Sequence, residues 1–327
     1  MNKCCKGCGV LLQSENPSKI GYVENLDQKY CRRCFRMRNY HEFQKVTIPK
    51  GQESMLEKVN QSRGFAFFFC DFLNLYPDNI KCYHQIKIPK LFCVTKSDSI
   101  PESIYYENIR RWLQKTHHIT EEILFISVKN VHKLKEKISR LPYQKIFFLG
   151  PTNAGKSSLV KALTNQSEIT VSEMPNTTLN FIKVPYLEKQ IYDTVGFADM
   201  YTLEDPTLIK KTILKKQIKP LILPVNESCN LLIEDFLRLA FDRKVQITFF
   251  KSDLLKVQKV YSKNTSLLDT PSFTKDIKAR SHIYLKGLGF FYLKNPCKIT
   301  FYNITEEYIN ICESFFGGNH EKDSGYR

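Results

Sequence analysis

The apolar run Lys145-Ile-Phe-Phe-Leu149 leads directly into Gly150-Pro-Thr-Asn-Ala-Gly-Lys-Ser-Ser158. This junction constrains the fold more than any other stretch of the chain. The run predicts a buried strand, and Ser158-Leu-Val-Lys-Ala-Leu163 predicts a helix. Between them the spacing is GxxxxGK[ST], that of a phosphate-binding loop. Gly150 and Gly155 let the backbone curl, so that N–H groups of Asn153, Ala154, Gly155, Lys156, Ser157 and Ser158 face a phosphate chain. The helix N-terminus adds favourable partial charge. Lys156 is predicted to reach the β- and γ-phosphates, and the Ser157 hydroxyl to hold Mg²⁺. A strand before the loop and a helix after it make the match specific, and nucleoside triphosphate binding follows.

The surrounding pattern predicts an α/β domain. Ala66–Cys70, Leu91–Val94, Ile123–Ile126 and Ile146–Leu149 read as short buried strands, with helical stretches at Glu102–His118 and Val131–Arg140. Such alternation implies a parallel sheet with helices on both faces. Ligands then bind beyond the carboxyl ends of the strands, and the remaining motifs stand at those ends.

Thr95-Lys-Ser-Asp98 follows the second strand and matches the [NT]KxD pattern that reads guanine. Asp98 can accept from both N1–H and the exocyclic amine, a pairing adenine cannot offer. The Lys96 stem can lie along the base, and Thr95 is expected to brace the phosphate loop. Ser127-Val-Lys129 follows the third strand, where a backbone N–H is wanted for the guanine oxygen. Downstream, Pro175-Asn-Thr-Thr-Leu179 offers a switch threonine for Mg²⁺, either Thr178 or Thr177. Asp193-Thr-Val-Gly196 gives DxxG, in which Asp193 serves Mg²⁺ through water and the Gly196 N–H senses the γ-phosphate. Base-reading elements thus precede phosphate-binding ones, the reverse of the usual order. Circular permutation accounts for this, because neighbouring termini can be rejoined and the chain reopened elsewhere with the site intact. Val245–Asp253 also ends in KxD, at the place the usual order would put it. Phe250, however, has no polar group to brace the phosphate loop, and no serine-type partner follows, so Thr95–Asp98 is the better candidate.

Residues 1–45 stand apart. Cys5-Lys-Gly-Cys8 and Cys31-Arg-Arg-Cys34 are CxxC knuckles separated by 22 residues. Two knuckles supply four thiolates for a structural tetrahedral Zn²⁺ site, with Cys4 as a competitor that lacks the CxxC spacing. Around the second knuckle, Tyr30–His41 interleaves four arginines with aromatics. That suits phosphate contact and base stacking on RNA, or a solvated surface beside a small metal module. The net charge of +16, from 49 Lys+Arg against 33 Asp+Glu, is open to the same two readings. No segment has the apolar length of a membrane span and the N-terminus lacks an apolar signal region, so a cytoplasmic location without membrane contact is expected. In that compartment the eleven cysteines read as thiols or metal ligands rather than disulfides.

Taken in order, Cys5-Lys-Gly-Cys-Gly9, Cys31-Arg-Arg-Cys-Phe35, Thr95–Asp98, Ser127–Lys129, the phosphate loop, Pro175–Leu179 and Tyr192–Gly196 resemble the YqeH family of circularly permuted GTPases. Lys219-Pro220, Leu237–Asp242 and Gly287-Leu-Gly-Phe290 resemble that family's C-terminal β-rich domain. The resemblance implies a zinc-binding module at 1–45, a permuted GTPase domain at 46–205 and a β-rich domain at 206–327 contacting RNA or the ribosome. It further implies GTP/GDP binding, and GTP hydrolysis coupled to maturation of the small ribosomal subunit or its precursor, with ribosomal RNA among the partners. Oligomeric state is not implied.

The chain departs from the family pattern at several positions. Thr95 stands for the more usual Asn, Asn176 for a glycine and Asn180 for an acidic residue. Phe197 follows DxxG where Ras-like enzymes carry a water-positioning glutamine, so slow intrinsic turnover is expected. Asn153 matches the position with which potassium-dependent GTPases hold K⁺, and equally reads as an ordinary loop residue. Two rival functions stay in view: a nucleotide-gated RNA scaffold with negligible hydrolysis, and a P-loop metabolic kinase, which leaves the knuckles and Thr95–Asp98 unexplained. Beyond residue 206, lysines 210, 211, 215, 216 and 219 form a basic stretch. Leu221–Val225, Ile247–Phe250, Ile283–Leu285, Phe290–Leu293 and Lys298–Tyr302 read as strands.

Overall fold

The computed structural model describes residues 3, 11–15, 22–31, 51–164, 181–194, 206–214, 216–234, 237–261 and 271–316. It divides into two compact units. The α/β unit contains α1 (Gly51–Asn60), β1 (Gly64–Asp71), α2 (Pro77–His84), β2 (Lys90–Thr95), α3 (Tyr106–His117) and β3 (Ile123–Phe125). It continues with α4 (His132–Arg140), β4 (Lys145–Leu149), α5 (Lys156–Thr164), β5 (Phe181–Tyr186) and β6 (Lys189–Thr194). Its six-stranded sheet has the order β3-β2-β1-β4-β6-β5. All neighbours run parallel except β5, which pairs antiparallel with β6 at one edge.

The apolar runs form strands because both faces of the sheet are covered. Every residue of β1 is buried, the expected reading of a parallel strand with helices on either side. On one face Phe67, Phe69 and Phe148 pack with Leu134 and Ile138 of α4 and Leu159, Val160 and Leu163 of α5. Phe69 and Phe148 meet edge-to-face at 4.7 Å. On the other face Phe68 meets Tyr83 of α2 at 5.7 Å and Phe92 at 5.6 Å. The strand order reverses between β1 and β4, since successive strands are added outward from that pair in opposite directions. Such a switch point opens a crevice at the strand ends.

α3 begins at Tyr106, four residues later than the pattern suggested, because Pro101–Tyr105 stays outside the helix. It ends on His118 in the left-handed conformation, whose N–H donates to the Leu113 carbonyl. The chain also crosses between units more often than serial boundaries at 45 and 205 provide. Residues 216–218 and 312–316 count with the α/β unit. Ile218 N donates to the Ser99 carbonyl at 2.8 Å, and Trp112 Nε1 to the Glu313 carbonyl at 2.8 Å. Phe315 lies against Phe72 and Trp112.

The β unit contains α6 (Pro206–Thr212) and β7 (Leu221–Val225), β8 (Cys229–Ile233), β9 (Leu237–Phe241), β10 (Val245–Phe250) and β11 (Val257–Tyr261). Then come β12 (Pro271–Ile277), β13 (Ser281–Leu285), β14 (Gly289–Leu293), β15 (Cys297–Tyr302) and β16 (Ile309–Glu313), whose last two residues count with the other unit. Two five-stranded sheets, β16-β13-β14-β10-β7 and β11-β8-β9-β15-β12, bury one shared core that includes Leu231, Leu239, Phe249, Phe291 and Phe301. All their described pairings are antiparallel. α6 is held within this unit by a Lys211–Glu234 ion pair. Among the described residues no helix is long and apolar enough to cross a membrane.

Candidate nucleotide site

The crevice at the β1/β4 switch point is built by the ends of β1, β2, β3, β4 and β6. β4 runs into the phosphate loop, whose Gly150 has φ +138° and lies so close to β1 that a Cβ there would stand 2.0 Å from the Phe69 carbonyl oxygen. Only glycine fits this position. Asn153 and Gly155 also have positive φ, 63° and 89°. Three left-handed residues in six curl the loop so that its amides can line one concavity. A Cβ on Gly155 would meet no atom within 4 Å, so that side of the loop is open.

Lys156 opens α5 and is buried, with 6% of its surface exposed. Its Nζ donates to the Gly150 and Pro151 carbonyls, each at 2.9 Å. Burial pulls its ammonium down to about 8, against the upward pull of Asp193. A cation so poorly solvated gains most from an arriving phosphate. The Ser157 hydroxyl donates to Asp193 Oδ2 at 2.7 Å. Burial raises the Asp193 carboxyl, while Ser157 and Lys156 lower it. Its other oxygen, Oδ1, is buried and has no hydrogen-bond partner among the described residues. A hydroxyl beside a carboxylate with an unsatisfied buried oxygen is a hard-oxygen donor set, and it fits Mg²⁺. Thr194 Oγ1 donates to the Phe148 carbonyl and ties the end of β6 to β4.

The loop after β2 joins the phosphate-loop region through one buried bond: Thr95 Oγ1 donates to the Ala154 carbonyl at 2.7 Å. Lys96 follows in the left-handed conformation, and its Nζ lies 3.1 Å from Asp71 Oδ2 at the end of β1. Ser97 N donates to the Ile126 carbonyl, linking the loop after β2 to the end of β3. Asp98 Oδ2 pairs with Lys129 Nζ at 3.1 Å, so the loops after β2 and β3 meet side by side. At Ser127 the structure adds a detail. The Ser127 N–H donates to Asn130 Oδ1 at 2.6 Å, so this amide is already engaged within the turn.

Asn153, Ala154, Gly155, Thr95, Lys96, Asp98, Ser127 and Asp193 therefore lie at the carboxyl ends of β2, β3, β4 and β6 or in the loops beyond them, and Lys156, Ser157 and Ser158 form the first turn of α5. Thr177, Thr178, Gly196 and Phe197 lie outside the described residues, as do Cys5, Cys8 and Cys34 of the expected zinc site. Cys31 is buried with Leu12 and Val23. Sequence reasoning missed Asp71. The signal was a lone carboxylate closing the otherwise uncharged run Gly64-Phe-Ala-Phe-Phe-Phe-Cys-Asp71. The alternative KxD falls elsewhere: β10, which precedes it, sits antiparallel between β14 and β7 in the β unit. Lys251 Nζ there donates to the Ser252 and Leu255 carbonyls.

Residues 145–249 match the family model described as 50S ribosome-binding GTPase. Bacillus subtilis YqeH is 23% identical over 301 residues, 82% of each chain. The small ribosomal subunit biogenesis GTPase RsgA of Clostridium beijerinckii is 29% identical over 143 residues, 41% of this chain and 45% of that protein. Among solved structures, GNP-bound YlqF from T. maritima is 13% identical with a TM-score of 0.33, over 46% of this chain and 59% of that one.

Proposed function

We propose, for a chain that is a YqeH relative built on a P-loop GTPase domain, that it binds and hydrolyses GTP and that the bound nucleotide controls docking on an assembling small ribosomal subunit. The observation that carries this reading is the pairing of Ser157 with Asp193 beside buried Lys156, joined by the Thr95–Ala154 bond to the loop that bears Asp98. Phosphate recognition and base recognition thereby share one rigid frame, with β1 between β2 and β4.

Each residue has a distinct task. The loop amides and Lys156 receive the phosphates, and Asp98 accepts from the guanine edge. Ser157 and Asp193, with Thr178 or Thr177, would hold Mg²⁺, which supplies charge neutralisation at the β- and γ-phosphates. Asn153 is the candidate K⁺ ligand, and a cation there would add to that neutralisation. Cys5, Cys8, Cys31 and Cys34 would hold Zn²⁺ in the N-terminal module, and the arginine-rich stretch after it would meet RNA. The protein acts in the cytoplasm.

The small-subunit assignment draws on the similarity to RsgA, a small ribosomal subunit biogenesis GTPase, and on the family resemblance, whereas the matching family model describes 50S ribosome-binding GTPases. Co-sedimentation distinguishes them. With a nonhydrolysable GTP analogue the protein pellets with small subunits, and with GDP, the ATP analogue or no nucleotide it does not. Pelleting with large subunits overturns the assignment. Phe197 favours the second reading, a scaffold with negligible hydrolysis. Single-turnover assays in K⁺ and in Na⁺, with and without ribosomal particles, decide between them: no stimulation in any condition favours the scaffold.

A further inference from the structure

The Asp71 carboxylate at the end of β1 accepts four hydrogen bonds, and none of the motifs uses it. Only 3% of its side chain is exposed. Oδ1 accepts from Leu73 N and Asn74 Nδ2, each at 3.0 Å, while Oδ2 accepts from Asn74 Nδ2 at 3.0 Å and Lys96 Nζ at 3.1 Å. The turn beneath is fixed in its own right. Asn79 Nδ2 of α2 donates to the Asn74 carbonyl at 2.8 Å, and Cys70 Sγ lies 3.1 Å from the same oxygen. The carboxylate is therefore aimed before any ligand arrives, and a buried carboxylate satisfied in this way makes a strong charge-assisted bond to an ammonium.

Lys96 is the residue that needs such an anchor. Its backbone sits at φ 52°, ψ 36°, which is uncommon for a side chain with a Cβ. A four-carbon stem has many rotamers, and clamping the ammonium at one end selects among them.

We propose that Asp71 is a positioning residue for base recognition: by holding Lys96 Nζ it fixes the line of the Lys96 stem, and hence the plane in which a guanine base lies between that stem and Asp98. Asp71 itself does not touch the nucleotide. It acts through Lys96. This inference rests on the guanine-nucleotide reading above.

A double-mutant cycle in the full chain tests it, with fluorescent mant-GDP and mant-ADP as probes and thermal midpoints measured alongside. Asp71→Asn keeps the shape and an acceptor for the turn but removes the charge that holds the lysine. Asp71→Asn and Lys96→Met each weaken mant-GDP binding by about tenfold. In the Lys96→Met background, Asp71→Asn produces no further loss of affinity, and its effect on the thermal midpoint differs between the two backgrounds, because the ion pair is present in only one of them. If Asp71→Asn does not fold, Asp71→Glu, which keeps the charge but displaces it, is read in the same two backgrounds. Losses that multiply in the double variant, or wild-type affinity in the Asp71 variants, overturn the positioning role. Equal binding of mant-GDP and mant-ADP by the wild-type protein overturns the guanine reading instead.

Discussion

Both units bury polar side chains, but they dispose of them differently. In the α/β unit Asp71, Thr95, Lys156 and Asp193 are all buried. Asp71, Thr95 and Asp193 stand at the carboxyl ends of parallel strands and Lys156 opens α5, and their bonds to Lys96, Ala154, Ser157 and the Gly150 and Pro151 carbonyls tie those ends together. In the β unit Glu234, Arg238 and His282 are buried as well, yet each is dealt with locally. Glu234 pairs with Lys211 and accepts from Lys256 N. Arg238 lies 3.7 Å from the centre of the Tyr302 ring, and His282 sits among Tyr284, Phe290 and Tyr292, with burial holding it neutral. Burying polar groups is costly in either place. Where the groups converge on one crevice they make a binding site; where each finds its own neighbour they hold a sandwich together.

The contrast can be broken first at the level of stability. Phe249, fully buried between the two antiparallel sheets, costs about 3–5 kcal/mol when replaced by alanine. Denaturant unfolding followed by a probe in the β unit reads this loss, and mant-GTP affinity should stay within about twofold, as expected of a core residue that belongs to the other compact unit. A parallel collapse of nucleotide binding would mean that the units are not separable in function. Lys156→Ala acts the other way round. Removing the charged donor lowers nucleotide affinity by about a hundredfold or more, with the thermal midpoint of the unliganded protein held or raised because a poorly solvated ammonium is gone.

The titration of Lys156 sharpens the same point. Its folded value of about 8 lies below the ordinary 10.5, so between those values the unfolded chain binds more protons. Stability of the unliganded protein therefore gains from this group as pH rises from 8 towards 10.5. Nucleotide binding has the opposite sign. Phosphate favours the ammonium, so affinity is level below pH 8 and falls by up to about tenfold per pH unit above it. Calorimetry in buffers of different ionisation enthalpy should show proton uptake on binding near pH 9, absent in Lys156→Ala. The smallest effect is expected of Thr95→Val, which removes the bond to Ala154 and weakens binding by about fivefold without changing the fold.

The parallel sheet was legible because strands covered on both faces are written as unbroken apolar runs, and because the binding motifs terminate them. The β unit was less so. Half-buried strands such as β11, with Gln258 and Lys259 exposed, carry too few apolar residues to stand out. The return of residues 216–218 and 312–316 to the α/β unit depends on backbone hydrogen bonds and on contacts such as Phe315 with Trp112, for which no local pattern exists. Asp71 was visible as an isolated charge, but its partner lies 25 positions away on a neighbouring strand end. Likewise the bond from the Ser127 N–H to the Asn130 side chain has no signature in the motif itself.

The motif order is the central claim, and the two KxD sequences test it most directly. The family match beginning at the phosphate strand reaches residue 249, just short of Lys251-Ser252-Asp253. The conventional order would assign base recognition to those residues, yet the strand that precedes them belongs to an antiparallel sheet. Mant-GDP affinity should be measured for Asp98→Asn and Asp253→Asn side by side. The permuted arrangement predicts a loss of about tenfold for Asp98→Asn and wild-type affinity for Asp253→Asn. A loss confined to Asp253→Asn would contradict it.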